Sequence, residues 1–372
     1  MTFSRPPTAV TSQAGRVYLD HAAGTDLLPE VAEALTQVPA GNPSSPHGEG
    51  RAALAALDLA RDIAAGALGV DPAEIVFTAS GTEAVNLAIL GAGRRLPPGR
   101  PVVTWAAEHQ AVLGAVRHLQ LEGRSVEILP VDGEGRNSEP DLPGAGLVST
   151  SLANNEVGTL QPRVHAPGAI VHLDACQGPQ WIEVDLRGVD LASFSGAKIG
   201  AGRGGLLFVR GGVRLEPLQY GGPQERGRRA GREDVSAAVA VAAALAACAE
   251  QHRARNEAVR PLGDRLRRAL EAAGGRLTGG SPRLPNHASA VFPGARGEDL
   301  LLALDLAGVA ASSGSACASG SLDPSHVLLA LGLTLEESLS GLRLTAGWAT
   351  SETDLERAEL VLHSVLTPLV RS

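Results

Sequence analysis

Short apolar runs, each long enough for one buried strand, recur from residue 74 to residue 209 with helical stretches between them. The runs lie at 74–79, 102–105, 126–129, 147–152, 169–174, 191–195 and 205–209, and apolar residues recur at helical spacing over 29–38, 48–68, 84–90 and 109–121. Strands this short and apolar are covered on both faces, and their alternation with helices builds a largely parallel sheet. The expected fold class is therefore α/β, with a mainly parallel seven-stranded sheet that receives ligands at the carboxyl ends of its strands. Two helices are predicted at 235–254 and 262–273. Beyond them come strand 288–292, helix 298–306, a Ser/Gly/Ala loop at 312–321, helix 326–331, strand 342–345 and a last helix opened by the capping box Ser351-Glu-Thr-Asp354. At 372 residues the chain exceeds one typical domain. The expectation is a large domain over 15–255 and a smaller α/β domain made of 1–14 and 256–372.

Lys198 is the only lysine among 32 basic residues; the others are arginines. A guanidinium stays protonated, whereas a buried lysine can lose its proton and attack a carbonyl. One lysine could survive on a solvated face without a role. The setting of Lys198 points the other way, because an apolar run ending in Ser193-Phe-Ser-Gly reads as a buried strand that delivers the amine to a tight loop.

A net charge of −8 argues against a general nucleic-acid surface, although Arg226, Arg228, Arg229 and Arg232 cluster locally. Cys176, Cys248 and Cys317 have neither paired nor metal-type spacing, which fits a reducing compartment. The N-terminus Met-Thr-Phe-Ser-Arg-Pro-Pro has no apolar signal core, and no uninterrupted apolar run reaches about 18 residues with membrane character. The expectation is a cytoplasmic protein with no membrane contact, no direct nucleic-acid contact and no metal site.

Polar residues gather at the predicted strand ends. Ser80-Gly81-Thr82 follows the first run and opens a helix, so its backbone N–H groups and hydroxyls meet the positive end of a helix dipole. That arrangement is either an anion site or an ordinary N-cap through Ser80 or Thr82. His109, Asn155, Asp174 with Gln177, and Ser195 with Lys198 follow at later strand ends. An amine, a buried carboxylate, an anion site and a flat imidazole are together what pyridoxal 5'-phosphate requires. The amine holds the aldehyde, the carboxylate keeps the pyridine nitrogen protonated so that the ring draws electrons, and the helix start binds the phosphate.

Eight blocks carry a resemblance: Tyr18-Leu-Asp-His-Ala-Ala, Gly41-Asn-Pro-Ser-Ser, Phe77-Thr-Ala-Ser-Gly-Thr-Glu, Glu108-His109, Asn154-Asn-Glu-Val-Gly, His172-Leu-Asp-Ala-Cys-Gln, Ser193-Phe-Ser-Gly-Ala-Lys and Ser312-Ser-Gly-Ser-Ala-Cys317. In this order, and over nearly the whole chain, they resemble the group I cysteine desulfurases of the NifS/IscS type, pyridoxal-phosphate enzymes of fold type I in the class V aminotransferase family. The resemblance implies that Lys198 bonds the cofactor, that Asp174 pairs with its ring nitrogen, and that His109 stacks on the ring and assists proton transfer. It implies Asn155 and Gln177 around the ring oxygen and substrate carboxylate, and Gly81, Thr82 and Ser195 at the phosphate. Arg343 matches the arginine that takes the substrate carboxylate, a task suited to its bidentate fork. Cys317 matches the nucleophile that accepts sulfur from L-cysteine as a persulfide, leaving L-alanine. A free thiol has a pKa of about 8.5, so few such groups are thiolate at neutral pH without help from the site. A homodimer and a sulfur-acceptor protein, either an iron-sulfur scaffold or a tRNA-thiolation component, are the implied partners.

The chain departs from the family pattern at the phosphate. The residue before the lysine is Ala197 where the family has His, and Arg232 stands where the family has a Thr that reaches the partner's phosphate. Arg232 from a second copy is expected to fill the space at Ala197. Gly24 replaces a frequent Thr, and the C-terminal segment lacks the extended tail of housekeeping members, which leaves the acceptor open. Two other readings compete: an enzyme of the same fold that performs transamination or lysis without sulfur transfer, and a nucleotide- or RNA-binding module resting on Gly200-Ala-Gly-Arg-Gly-Gly and the arginine cluster. The second is a weak signal, because that segment follows the lysine loop and not a first strand-to-helix turn.

Overall fold

The computed structural model describes residues 15–138, 142–314 and 323–371. Strand β1 (Val17–Tyr18) leads into α1 (Pro29–Leu35) and α2 (Gly48–Leu68). The sheet region follows with β2 (Ile75–Thr78), α3 (Gly81–Gly93), β3 (Val102–Trp105), α4 (Gln110–Leu121), β4 (Val126–Leu129), β5 (Leu147–Ser151), β6 (Ile170–Asp174), β7 (Leu191–Ser195), the short α5 (Gly196–Ile199) and β8 (Gly205–Val209). Helix α6 (Val235–Ala272) then connects to β9 (Arg276–Leu277), β10 (His287–Val291), α7 (Gly297–Leu306), β11 (Val309–Ala310), α8 (His326–Ala330), α9 (Leu335–Ser338), β12 (Gly341–Thr345) and α10 (Glu352–Arg371).

The large sheet has seven strands in the order β2-β8-β7-β6-β5-β3-β4. Only β8 runs against its neighbours, so the sheet is mainly parallel and its ligand edge lies where β3, β5, β6 and β7 end together. Alternate side chains point to opposite faces. Phe77, Ala192, Phe194, Leu206 and Phe208 join α2 and α6 in one core, while Val76, Leu191, Leu207 and Val209 pack under α3 on the other face.

A second core is built from the three-stranded sheet β12-β10-β9, the helices α7 and α10, and the C-terminal half of α6. Here the sequence expectation needs correction: the helices predicted at 235–254 and 262–273 are one helix of 38 residues with Pro261 inside it. A proline in a helix interior removes one hydrogen bond and costs about 3 kcal/mol. The helix continues because Val259, Leu262 and Leu266, on both sides of the proline, are buried in the second core. The position assigned to a domain boundary, 255/256, therefore falls inside a helix that carries the chain from the core around Leu245 to the core around Leu266. By length and hydropathy α6 could cross a bilayer, but Ala238, Ala240, Val241 and Leu245 pack against the sheet. The assignment of residues 1–14 to the smaller domain lies outside the described residues.

Candidate active site

The predicted break at Ser80-Gly-Thr is the first turn of α3, three residues earlier than the periodicity suggested. Ser80 is the N-cap, its hydroxyl accepting from Glu83 N at 3.1 Å, which is the capping reading of this segment. The helix start faces a cavity of about 370 Å³ that Thr82, Ser195, Asp174 and Lys198 also line. Gly81 is required here by close approach. A Cβ at this position would fall 2.7 Å from Cys176 Sγ and 2.8 Å from Ser195 Cβ, so a larger residue would push the helix start off the strand ends.

Lys198 sits in α5, one turn beyond the end of β7. Its amine donates to the carbonyl of Ala23, and its own carbonyl accepts from Gln180 Nε2 at 2.7 Å. Asp174 ends β6 at 5% exposure, and its Oδ1 accepts from Cys176 N at 3.0 Å. Burial and the neighbouring Asp174 carboxylate push the Cys176 thiol well above its ordinary value, so this cysteine stays protonated inside the cavity. His109 is the N-cap of α4. Its Nδ1 accepts from Ala111 N at 3.1 Å, which leaves Nε2 to carry the proton of the neutral ring. Gln177 is turned by a bond from Nε2 to the Ala22 carbonyl at 2.8 Å.

Behind this group lies Glu108, fully buried. Its Oε1 accepts from Ser151 N at 3.0 Å and from Asn137 Nδ2 at 3.4 Å, and its Oε2 has no partner among the described residues. Burial, reinforced by Asp174, raises its pKa to about 7. His172, two residues before Asp174, is also buried, bonded to Ser149 and Ser193 hydroxyls at 2.8 and 2.9 Å; burial lowers its pKa to about 4, and it stays neutral in the sheet.

Arg343 comes from the other core, in the middle of β12, and reaches the same cavity. Its Nη2 pairs with Asp20 Oδ1 at 2.6 Å and its Nη1 donates to Asn155 O at 2.9 Å. The loop after β1 thus touches three parts of the site: Asp20 on Arg343, Ala22 on Gln177, Ala23 on Lys198. Sequence reading quoted this loop as a motif but assigned it no role, because two of its three contacts are made by backbone carbonyls. Asp20, Glu108 and Cys176 stand in motif blocks with no role assigned, and Gln180 carries no sequence signal; an acid directly before His109 was the one available signal, at Glu108.

The structure brings Gly81, Thr82, His109, Asn155, Asp174, Gln177, Ser195, Lys198 and Arg343 to one cavity, with Ala197 also in its lining. Cys317 lies outside the described residues. Arg232 is not in the lining of its own chain's cavity; it is exposed and donates to Gly41 O at 2.8 Å. The arginine cluster is tied down throughout. Glu225, at φ 48°, forms a buried pair with Arg61 at 2.9 Å, Arg228 donates to Ala73 O at 3.0 Å, and Arg229 pairs with Glu83 of the α3 first turn at 2.9 Å. These contacts give Arg228 and Arg229 partners within the chain.

Residues 17–357 match the family model described as aminotransferase class-V. The chain belongs to the class-V aminotransferase family. It is 37% identical over 375 residues to the cysteine desulfurase IscS of Clostridium botulinum, covering 94% of each chain. It is 40% identical over 378 residues to a cysteine desulfurase of Trichormus azollae, covering 95% of this chain and 93% of that one. Among solved structures, a NifS-like protein superposes with a TM-score of 0.87 at 30% identity, covering 95% of this chain and all of the other. Fold type I is therefore the fold, and pyridoxal 5'-phosphate is the cofactor of this class-V protein. The residues present fit that group: an amine, a buried carboxylate and a helix start without side-chain bulk at Gly81 share one cavity.

Proposed function

We propose that the protein is a cysteine desulfurase that converts L-cysteine to L-alanine and takes the sulfur on Cys317 as a persulfide. The observation that carries this reading is the meeting of Lys198, Asp174, His109 and Arg343 in one cavity. The relatives named as cysteine desulfurases support it over nearly the whole chain.

When bound, pyridoxal 5'-phosphate supplies an aldehyde that bonds amines and a protonated ring that draws electrons from the adjoining carbon. Lys198 would bond the aldehyde, Asp174 would hold the proton on the ring nitrogen, and Gly81, Thr82 and Ser195 would hold the phosphate at the positive end of α3. His109 and Gln177 would face the ring. Arg343 and Asn155 would receive the substrate carboxylate. The amine of Lys198 would take the Cα proton, and His109, with a proton on Nε2, would return one. The Cys317 thiolate then attacks the substrate sulfur. A sulfur–sulfur bond forms, the carbon–sulfur bond breaks with its electron pair going to the substrate's terminal carbon, that carbon takes a proton, and alanine leaves.

We further propose that the working form is a cytoplasmic homodimer, in which Arg232 of a second copy fills the space at Ala197, and that an acceptor protein of iron-sulfur assembly or tRNA thiolation collects the sulfur. The main test is incubation with L-cysteine followed by mass spectrometry. Alanine should appear and Cys317 should gain one sulfur; alanine without a persulfide on Cys317, or keto acid in place of alanine, would refute the reading.

A further inference from the structure

Arg343 is 2% exposed and its position is fixed several times over. Its backbone N and O exchange bonds with Ser312 at 2.6 and 3.1 Å, it lies in the centre of β12, and Nη1 is held by Asn155 O. None of these contacts carries charge. Among the described residues Asp20 is the one acid ion-paired with it, at 2.6 Å.

Neither His287 nor Glu156, two further titratable groups that feel the charge of the guanidinium, is ion-paired with it. Burial and Arg343 itself lower His287 to about 3, so the ring is neutral. Burial pushes the Glu156 carboxyl up toward its neutral form, and it is engaged by the Ser325 hydroxyl at 2.5 Å. An arginine has five N–H donors. Protein acceptors on Nη1 and Nη2 leave the rest for a ligand, and the buried Nε has no partner among the described residues.

We propose that Asp20 is a resident counter-ion that tunes how tightly Arg343 holds a carboxylate. The proposal rests on Arg343 being the receptor of the substrate carboxylate. Orientation does not need Asp20, since strand, Asn155 and burial already provide it; what Asp20 alone supplies is a negative charge. An incoming carboxylate must share the guanidinium with it. Like charges about 4 Å apart in a partly buried site repel strongly enough to weaken binding by at least one order of magnitude. The consequence is that the empty site carries no uncompensated buried charge, and that the product, an amino acid with the same carboxylate as the substrate, is released and not retained.

The test uses the cofactor-loaded protein and reads binding by absorbance in titrations with L-alanine and with ethylamine, an amine that lacks the carboxylate. Asp20→Asn keeps an oxygen acceptor and removes the charge. It is expected to tighten L-alanine about 10-fold or more while ethylamine changes by less than about 2-fold. Asp20→Ser, equally neutral but smaller, is expected to shift the ratio in the same direction and covers the case in which the asparagine variant fails to fold. Weaker or unchanged L-alanine binding in a folded neutral variant overturns the proposal, as does an equal shift for both ligands. These titrations need no sulfur transfer, so a failure of the desulfurase reading shows separately, as an absence of alanine from L-cysteine.

Discussion

Lys198 and Arg343 face the same cavity and are built in opposite ways. The lysine stands on a four-residue helix at a strand end, and its amine donates to a backbone carbonyl. The arginine is embedded in the centre of a strand of the other sheet, with a carboxylate partner. A carbonyl accepts from an amine and from an ammonium alike, so it tolerates a group that must gain and lose a proton. A guanidinium never loses its charge, and burying it demands a counter-ion. The two ends of the site are thus suited to different work: reversible bonding at one, permanent charge recognition at the other.

The sharpest way to break this contrast is to exchange the groups. Lys198→Arg keeps the charge and removes the nucleophile. Sulfide release from L-cysteine should fall by about three orders of magnitude or more, and the visible absorbance of the bound cofactor should change; retained turnover would show that a charge alone suffices there.

A second experiment compares the acids behind each end. Asp20 works as an ion, whereas Glu108, buried behind Asp174, has its pKa raised to about 7. A carboxyl with a folded pKa above its unfolded value contributes stability below the unfolded value, and this is lost as pH rises through about 7. Glu108→Gln mimics the protonated acid, so its stability relative to the parent should rise between pH 5 and pH 8 by about 3 kcal/mol. Denaturant melts at the two pH values check this, and a difference independent of pH would mean that Glu108 is not held neutral.

The smallest expected effect concerns whether the lysine end obtains its phosphate cation from outside the chain, as the arginine end obtains its counter-ion from within. Arg232→Ala should weaken cofactor retention about 10-fold by equilibrium dialysis, and unchanged retention would remove Arg232 from the site.

Much of the cofactor end was legible in the sequence. Thr82, His109, Asp174 and Lys198 each follow an apolar run, and in a parallel sheet neighbouring strand ends are neighbours in space. The strands at 102–105, 126–129, 191–195 and 205–209 coincide with the observed ones, because short apolar runs between turn residues admit few other solutions. The helix across Pro261 did not follow from local rules, since burial in the second core outweighs the missing hydrogen bond.

The sequence by itself determined the chemistry on offer: one amine among arginines, an acid and an imidazole at strand ends, and a helix start fit for phosphate. Only the tertiary structure decided which groups control them. Asp20 and Arg343 are 323 positions apart, and Ala22 and Ala23 act through carbonyls that every residue possesses. Such contacts leave no trace in residue type or spacing; they exist because β1 and β12 bring the two ends of the chain to the edge of a sheet formed by its middle.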